Sequence, residues 1–560
     1  MTDRKVLLIG LDAACFRQLD PLLASGSLPN IRRLIDSGVS ADLETTSPPW
    51  TPSAWPSVTT GSAPWTHGIY DFHHYPKKND PQLVGTHDVR VPFVWEVLSA
   101  HGLSSIVVNV PVTHPVHEFD GSLVPGCLAP EQAACLVDGD PQPMAAIDEA
   151  YRIYDRGYDP QAERLADYER LIDSRVDAAR RLDDAHDWSF MMVQFQHTDA
   201  VFHTDGEDPE AVSRVYERVD GAIGSLRDLA GEDCPVLLVS DHGMHRYDRV
   251  FYCNTWLRDN GYLETAPDAE RHAWNERTFR AAVTETRADT DADGRGLSER
   301  ILGAIVEASS RLGVTAQRAE QALSAVGLDE RVGRLLPEEV LYDIVDAAEY
   351  VDRSQSAAYC RSPSSLGIRC NVVGRDSEGV VPAAEFESFR TALVESLRDL
   401  RGPTGEPVFE SVSDRHATYG SEVANERSAP DIVLRPAGMA WKVSDIVRER
   451  TFGETEEFNH MYQGLFVASG PGIDSLATSA PSVVDVTPTV LRLLGIEPLE
   501  TMDGRTLFDP PTDDEGDASD ENGEDDVAPM IAPRRFFDAE SEESDADAVE
   551  DHLRAMGYIE

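Results

Sequence analysis

Runs of consecutive apolar residues alternate along this chain with segments whose apolar positions recur every three or four residues. KVLLIGL (5–11), SSIVVNV (104–110), WSFMMVQF (188–195) and PVLLVSDHG (235–243) are strand-like. PNIRRLIDSG (29–38), VPFVWEVLSAHG (91–102), ERLADYERLIDSRVDAARRLDD (163–184) and AVSRVYERVDGAIGSLRDLAG (211–231) carry the helical period. Strands that are apolar throughout are buried on both faces, so the alternation predicts an α/β fold with a central, mostly parallel sheet and helices on both sides.

The pattern divides the chain. Residues 1–264 form the first part of a core, and 265–335 are polar and helical in period with Asp-rich breaks (TRADTDADGRG), which reads as an inserted helical cap. Strands return over 336–510 (VLYDIVDAAEYV, LGIRCNVVG, PDIVLRP, GLFVASGPG), ending in a helix from Asp485 to Leu494. Residues 511–546 read as a solvated acidic linker, since 511–526 hold nine acids in sixteen positions. The amphipathic segment 547–560 is expected to dock back.

Charge changes the picture of the surroundings more than that of the reaction. Against 100 Asp plus Glu stand 49 Lys plus Arg, a formal charge of −51, and only four of the cations are lysines. The composition resembles that of proteins from extreme halophiles, where a Debye length of about 3 Å at 1 M salt screens an acidic surface from itself. Binding to nucleic acid or to an anionic membrane is not expected. The seven cysteines form no CxxC pair and read as reduced and mostly buried. With no apolar run of about 18 residues and an N-terminus that enters a strand at once, a cytoplasmic location is expected.

Four segments place chemistry-bearing residues beside strands. Asp12 ends the first strand, where open α/β sheets build their sites, although taken alone a carboxylate there reads first as a cap of the next helix. Thr51 precedes Pro52 at a helix start, where a hydroxyl can cap the helix, or act as a nucleophile whose phosphoryl group meets free N–H groups. Asp199 and His203 lie at i and i+4, a spacing that aims both side chains at one point. Asp241 and His242 close a strand before Gly243, and His460 follows far downstream.

As an ordered set these residues resemble the alkaline phosphatase superfamily, most closely its nucleotide pyrophosphatase/phosphodiesterase-like branch. The matching pattern is Asp12, Thr51 ten residues before the Gly of Thr60-Gly61, His67-Gly68-Ile69, Asp199 with His203, Asp241-His242-Gly243-Met244, and His460. It extends to NTWLRDNGYL (254–263), VTPTVLRLLG (486–495), MDGRTL (502–507) and the closing HLRAMGYI.

The resemblance implies an alkaline-phosphatase-like fold and a phosphohydrolase working through a phosphothreonine at Thr51. It implies two divalent metal ions, one held by Asp12, Thr51, Asp241 and His242, the other by Asp199, His203 and His460. The mixed N/O ligands suit zinc and tolerate manganese. The implied partner is a small phosphate ester, with a phosphodiester first, and the alternative is a phosphotransferase or phosphomutase using the same nucleophile.

Relatives acting on nucleotides carry an Asn about three residues beyond HGI, whereas this chain has Asp71, Phe72, His73 and His74 there. Asn109 is an alternative donor, or a structural loop residue. His67 reads as a turn residue, and His73 and His74 as residues lining the cleft. His197 is expected to point away from the site if the strand period persists. Thr51-Pro52-Ser53-Ala54 lacks the Cys/Ser-x-Pro-x-Arg context of sulfatases.

Overall fold

The computed structural model describes residues 4–77, 80–155, 161–266, 350–473, 475–508, 531–537 and 543–555. The nine-stranded main sheet runs Val39–Glu44, Gln463–Ser469, Val236–Val239, Val6–Leu11, Phe190–Phe195, Ser105–Val110, Gly121–Pro125, Ala134–Val137 and Asp140–Pro143. The middle five are parallel, from Val236–Val239 to Gly121–Pro125, and the outer ones are antiparallel. The first strand, VLLIGL, is buried at every position, as a parallel strand covered on both faces must be.

Two groups of helices cover this sheet. Pro29–Ser37, Gln161–Ala185 and Pro209–Ala230 pack in one group, and Thr51–Thr60, Val94–Ala100 and Val486–Leu493 in the other. The first group is tied by Asp220, whose carboxylate accepts the N–H groups of Asn30 and Ile31 at 2.8–3.1 Å. This pairing satisfies donors that a helix start leaves open.

A second core gathers Phe251, Trp256, Ile368, Leu393, Ile432 and Trp441, beside a four-stranded antiparallel sheet that contains Gly367–Cys370 and Ile432–Pro436. A third element, Gly243–Tyr252, pairs antiparallel with Phe452–Met461 and brings Met244 opposite His460. The expected cap at 265–335 lies outside the described residues beyond Ala266, as does most of the strand expected at 340–351. All seven cysteines are free and buried. Among the described residues no helix is long and apolar enough to cross a membrane.

The C-terminal region departs from the expected boundaries. Residues 511–530 and 538–542 of the acidic stretch are outside the described residues, but 531–537 are part of the folded body. Arg534 donates to Glu96 at 2.8 and 2.9 Å and to the carbonyl oxygens of Thr86, Val89 and Val91, and Ile531 and Phe537 pack on the main core. The closing helix begins at Glu543 and runs to Ala555, burying Val549 and Leu553. Average acidity concealed this short segment, in which Arg534, Ile531 and Phe537 supply docking contacts.

Candidate active site

Each element that ends at the site does so for a local reason. The strand Val6–Leu11 delivers Asp12, whose N–H donates to Phe195 O at 3.0 Å. The strand Val236–Val239 leads to Asp241 and His242, and Asp241 Oδ1 accepts the Ala13 N–H at 3.2 Å. Helix His197–Asp205 carries Asp199 and His203 one turn apart. Helix Thr51–Thr60 opens on Thr51 itself, with Pro52 next.

Six of the seven expected ligands fall into two clusters, Asp12 with Asp241 and His242, and Asp199 with His203 and His460. Within each, the potential ligand atoms lie within 4.8 Å of one another. His203 Nε2 stands 3.3 Å from Asp199 Oδ2, and His460 Nε2 stands 3.4 Å from Asp199 Oδ1. His242 Nε2 is 3.1 Å from Asp241 Oδ2 and 3.7 Å from Asp12 Oδ1. The seventh residue, Thr51, places Oγ1 3.2 Å from His242 Nε2. The rings of His242 and His460 stack with centroids 3.7 Å apart, joining the clusters.

Backbone carbonyls orient two of these rings. His242 Nδ1 meets Gly243 O, and His460 Nδ1 meets Pro49 O, both at 3.2 Å. An Nδ1–H donated to a carbonyl leaves Nε2 as the lone-pair nitrogen, the arrangement a metal-binding imidazole needs.

The electrostatics call for a cation. Asp12 is pushed well above the usual carboxylate range, by burial first and then by the negative charges of Asp241 and Asp199. Burial would also raise Asp199, but His203 and His460 hold it well below that range. Burial, then His242, pushes His460 down to about 3. Asp12 Oδ1 and Asp241 Oδ2 are buried and accept no hydrogen bond, a costly state for a carboxylate unless a cation takes those lone pairs. The donor set of imidazole nitrogens and carboxylate oxygens fits divalent ions of the zinc type.

A buried chain of hydrogen bonds reaches Asp12 from behind. Arg175 Nη2 donates to Asn109 Oδ1 at 3.0 Å, Asn109 Nδ2 to Gln194 Oε1 at 2.9 Å, and Gln194 Nε2 to Asp12 Oδ2 at 2.7 Å. Trp55 Nε1 donates to the same oxygen at 3.2 Å. Gly10 makes room for that indole, since a Cβ there would stand 2.4 Å from Trp55 Cη2. These donors hold Oδ2 and leave Oδ1 facing the cluster. The sequence reading passed over Gln194, although a glutamine inside an otherwise apolar strand was its visible signal.

The remaining histidines and Asn109 have other partners. The amide of Asn109 is committed to Gln194, so it is a positioning group rather than a donor to substrate. His197 is not on a strand but opens helix His197–Asp205, buried with its ring 5.3 Å from that of Tyr168. His67 is buried, its Nε2 2.9 Å from Ser57 Oγ, and its Nδ1 accepts the Ile69 N–H. His73 pairs with Glu550 at 3.2 Å and His74 with Asp88 at 3.0 Å, and neither belongs to the two clusters. Asp71 Oδ1 is bound to Ser364 Oγ and Phe72 N. Of the N–H groups expected at this helix start, those of Ser53 and Ala54 donate to Trp50 O at 3.0 and 2.9 Å, and Pro52 has none.

No curated protein matches the chain. Among solved structures it is similar to phosphonoacetate hydrolase from Sinorhizobium meliloti in complex with phosphonoformate. That similarity has 14% identity and a TM-score of 0.49, over 87% of this chain and 95% of that one. It is also similar to murine ectonucleotide pyrophosphatase/phosphodiesterase 5, an inactive form in complex with AMP, at 12% identity and TM-score 0.45, over 89% and 96%. The human form of that protein gives 12% and 0.47 over the same shares. The family described as type I phosphodiesterase / nucleotide pyrophosphatase matches residues 6–321, more than half of the sequence. On that match the chain belongs to the type I phosphodiesterase / nucleotide pyrophosphatase family and is a phosphoric ester hydrolase.

Proposed function

We propose that the protein hydrolyses a phosphodiester in two steps through a phosphothreonine at Thr51. The observation that carries this reading is the position of Thr51 Oγ1, 3.2 Å from His242 Nε2 at the edge of two buried His/Asp clusters. Asp12, Asp241, His242 and Thr51 would hold one divalent ion, and Asp199, His203 and His460 a second. Such a pair, zinc first and manganese second, supplies a lowered pKa for the attacking oxygen and neutralises phosphoryl charge.

In the first step Thr51 Oγ1 gives its proton to solvent and bonds to phosphorus, while the bond from phosphorus to the leaving oxygen breaks and that oxygen takes a proton from solvent. In the second, a water oxygen bonds to phosphorus, the Oγ1–P bond breaks, and one proton of that water passes to Oγ1 to restore the threonine hydroxyl. Because the N–H groups of Ser53 and Ala54 are already bonded to Trp50 O, they are not open to the phosphoryl oxygens, and cations would meet most of that charge. Gln194 and Trp55 keep Asp12 turned toward its cluster throughout.

The alternative reading, phosphoryl transfer to an alcohol in place of water, shares the first step. A panel of aryl phosphomonoesters, phosphodiesters, nucleoside diphosphate sugars and sulfate esters, assayed with Zn²⁺ or Mn²⁺, tests the substrate class. Oxygen-18 from solvent appearing in the released phosphate or monoester supports hydrolysis, and unlabelled product would establish transfer.

A further inference from the structure

A third cluster of ligating side chains stands apart from the two at the active site. His74 lies in the hairpin strand His73–Lys77, and His87 and Asp88 lie in the short turn Thr86–Asp88. The potential ligand atoms of the three residues lie within 4.8 Å of one another. His74 Nδ1 is 3.0 Å from Asp88 Oδ1, and His87 Nε2 is 3.3 Å from Asp88 Oδ2. One buried carboxylate thus meets one imidazole at each oxygen.

The cluster around Asp199 has this same arrangement, with His203 at one oxygen and His460 at the other, at 3.3 and 3.4 Å. Around a tetrahedral ion with bonds of about 2.0–2.1 Å, neighbouring ligand atoms stand about 3.3–3.4 Å apart. Both clusters have edges near that length. The Asp88 carboxylate is held in place by its own turn, its Oδ2 accepting the Gly85 N–H at 3.0 Å. Gly85 itself is required there, because a Cβ would stand 2.6 Å from His114 O and 3.2 Å from His87 Nδ1. His87 is half exposed while Asp88 is buried, so an ion can enter from solvent and keep a water at a fourth position.

We propose that His74, His87 and Asp88 form a third divalent-metal site of the zinc type, distinct from the catalytic pair. Its two His and one Asp suit zinc as the catalytic donors do. The ion would tie the hairpin strand His73–Lys77, which also contacts the closing helix through His73 and Glu550, to the turn after it. The site is structural, because the residues assigned to catalysis are not among its ligands.

Zinc bound per chain at equilibrium, measured by dialysis and elemental analysis, tests the proposal in the full-length protein. The wild type is compared with His87→Ala and His74→Gln, with folding checked by circular dichroism. Each variant is expected to bind one zinc fewer than the wild type. His87→Ala alters a half-exposed side chain, so it carries the test even if His74→Gln fails to fold. Equal zinc content in wild type and His87→Ala would overturn the third site. A failure of the catalytic two-ion reading would change the total in all the proteins alike and leave this difference intact.

Discussion

The Oγ1 of Thr51 lies 3.2 Å from Nε2 of His242, and the ring of His242 is stacked on that of His460. A hydroxyl at the first residue of a helix is therefore held against the seam between two groups of buried ligands. Thr51→Ala is expected to lower turnover by about 10⁴-fold or more, as loss of a nucleophile does, while the fold remains. Metal content and rate are measured on the same sample. Near-native activity in Thr51→Ala would end the covalent mechanism.

The two clusters are expected to lose their ions separately. His460→Ala removes a ligand shared only with Asp199 and His203, so one ion of the catalytic pair should leave and the other stay. Asp241→Ala should do the reverse. Crystallographic anomalous signal at each position distinguishes the two outcomes, and simultaneous loss of both ions from either variant would show that the clusters bind as one unit.

Gln194 acts on the metal through Asp12, to which it donates at 2.7 Å. Gln194→Leu is expected to weaken metal affinity by roughly 10–100-fold, the usual effect of losing an outer hydrogen-bond partner of a ligand. Chelator competition measures it. Saturating metal should restore most of the rate, whereas a variant that had merely lost packing would not be rescued.

Buried Glu96 and half-buried Arg534 form an ion pair that joins the main core to residues 531–537. Burial raises the Glu96 carboxyl, but its contacts with His117 and Arg534 outweigh this and bring it down from 4.5 to about 2. A carboxyl depressed on folding stabilises the protein above its unfolded value, and this contribution is lost as pH falls from about 4.5 toward 2. It amounts to about 3 kcal/mol. Thermal unfolding of Glu96→Gln should show a lower Tm near neutral pH and a smaller dependence on pH across that window. An unchanged pH profile would remove the pair from the stability of the fold.

The same contacts bear on the acidic stretch. Deleting 511–530 is expected to leave stability and activity nearly unchanged. Deleting 511–546 takes away Arg534 and leaves Glu96 buried without its arginine partner, a loss of about 3 kcal/mol by analogy with broken buried pairs. Chemical denaturation of the two deletions decides between them, and equal midpoints would mean that 531–537 contribute nothing.

The local pattern by itself determined the apolar strands, the helices between them and the candidate chemistry at their ends, because burial on two faces and a 3.6-residue period leave their mark within a few residues. It also paired Asp199 with His203, since four residues make one turn. What the tertiary structure alone decided is how distant residues meet. His460 reaches Asp199 across 261 positions because Gly243–Tyr252 and Phe452–Met461 pair in the register that sets Met244 against His460. Arg175, Asn109 and Gln194 line up behind Asp12 because a helix packs over neighbouring strands. Arg534 finds Glu96 across an acidic stretch whose average composition hid it. Periodicity records which face of an element is buried, whereas register and packing between elements choose the partner on that face, and that choice has no local signature.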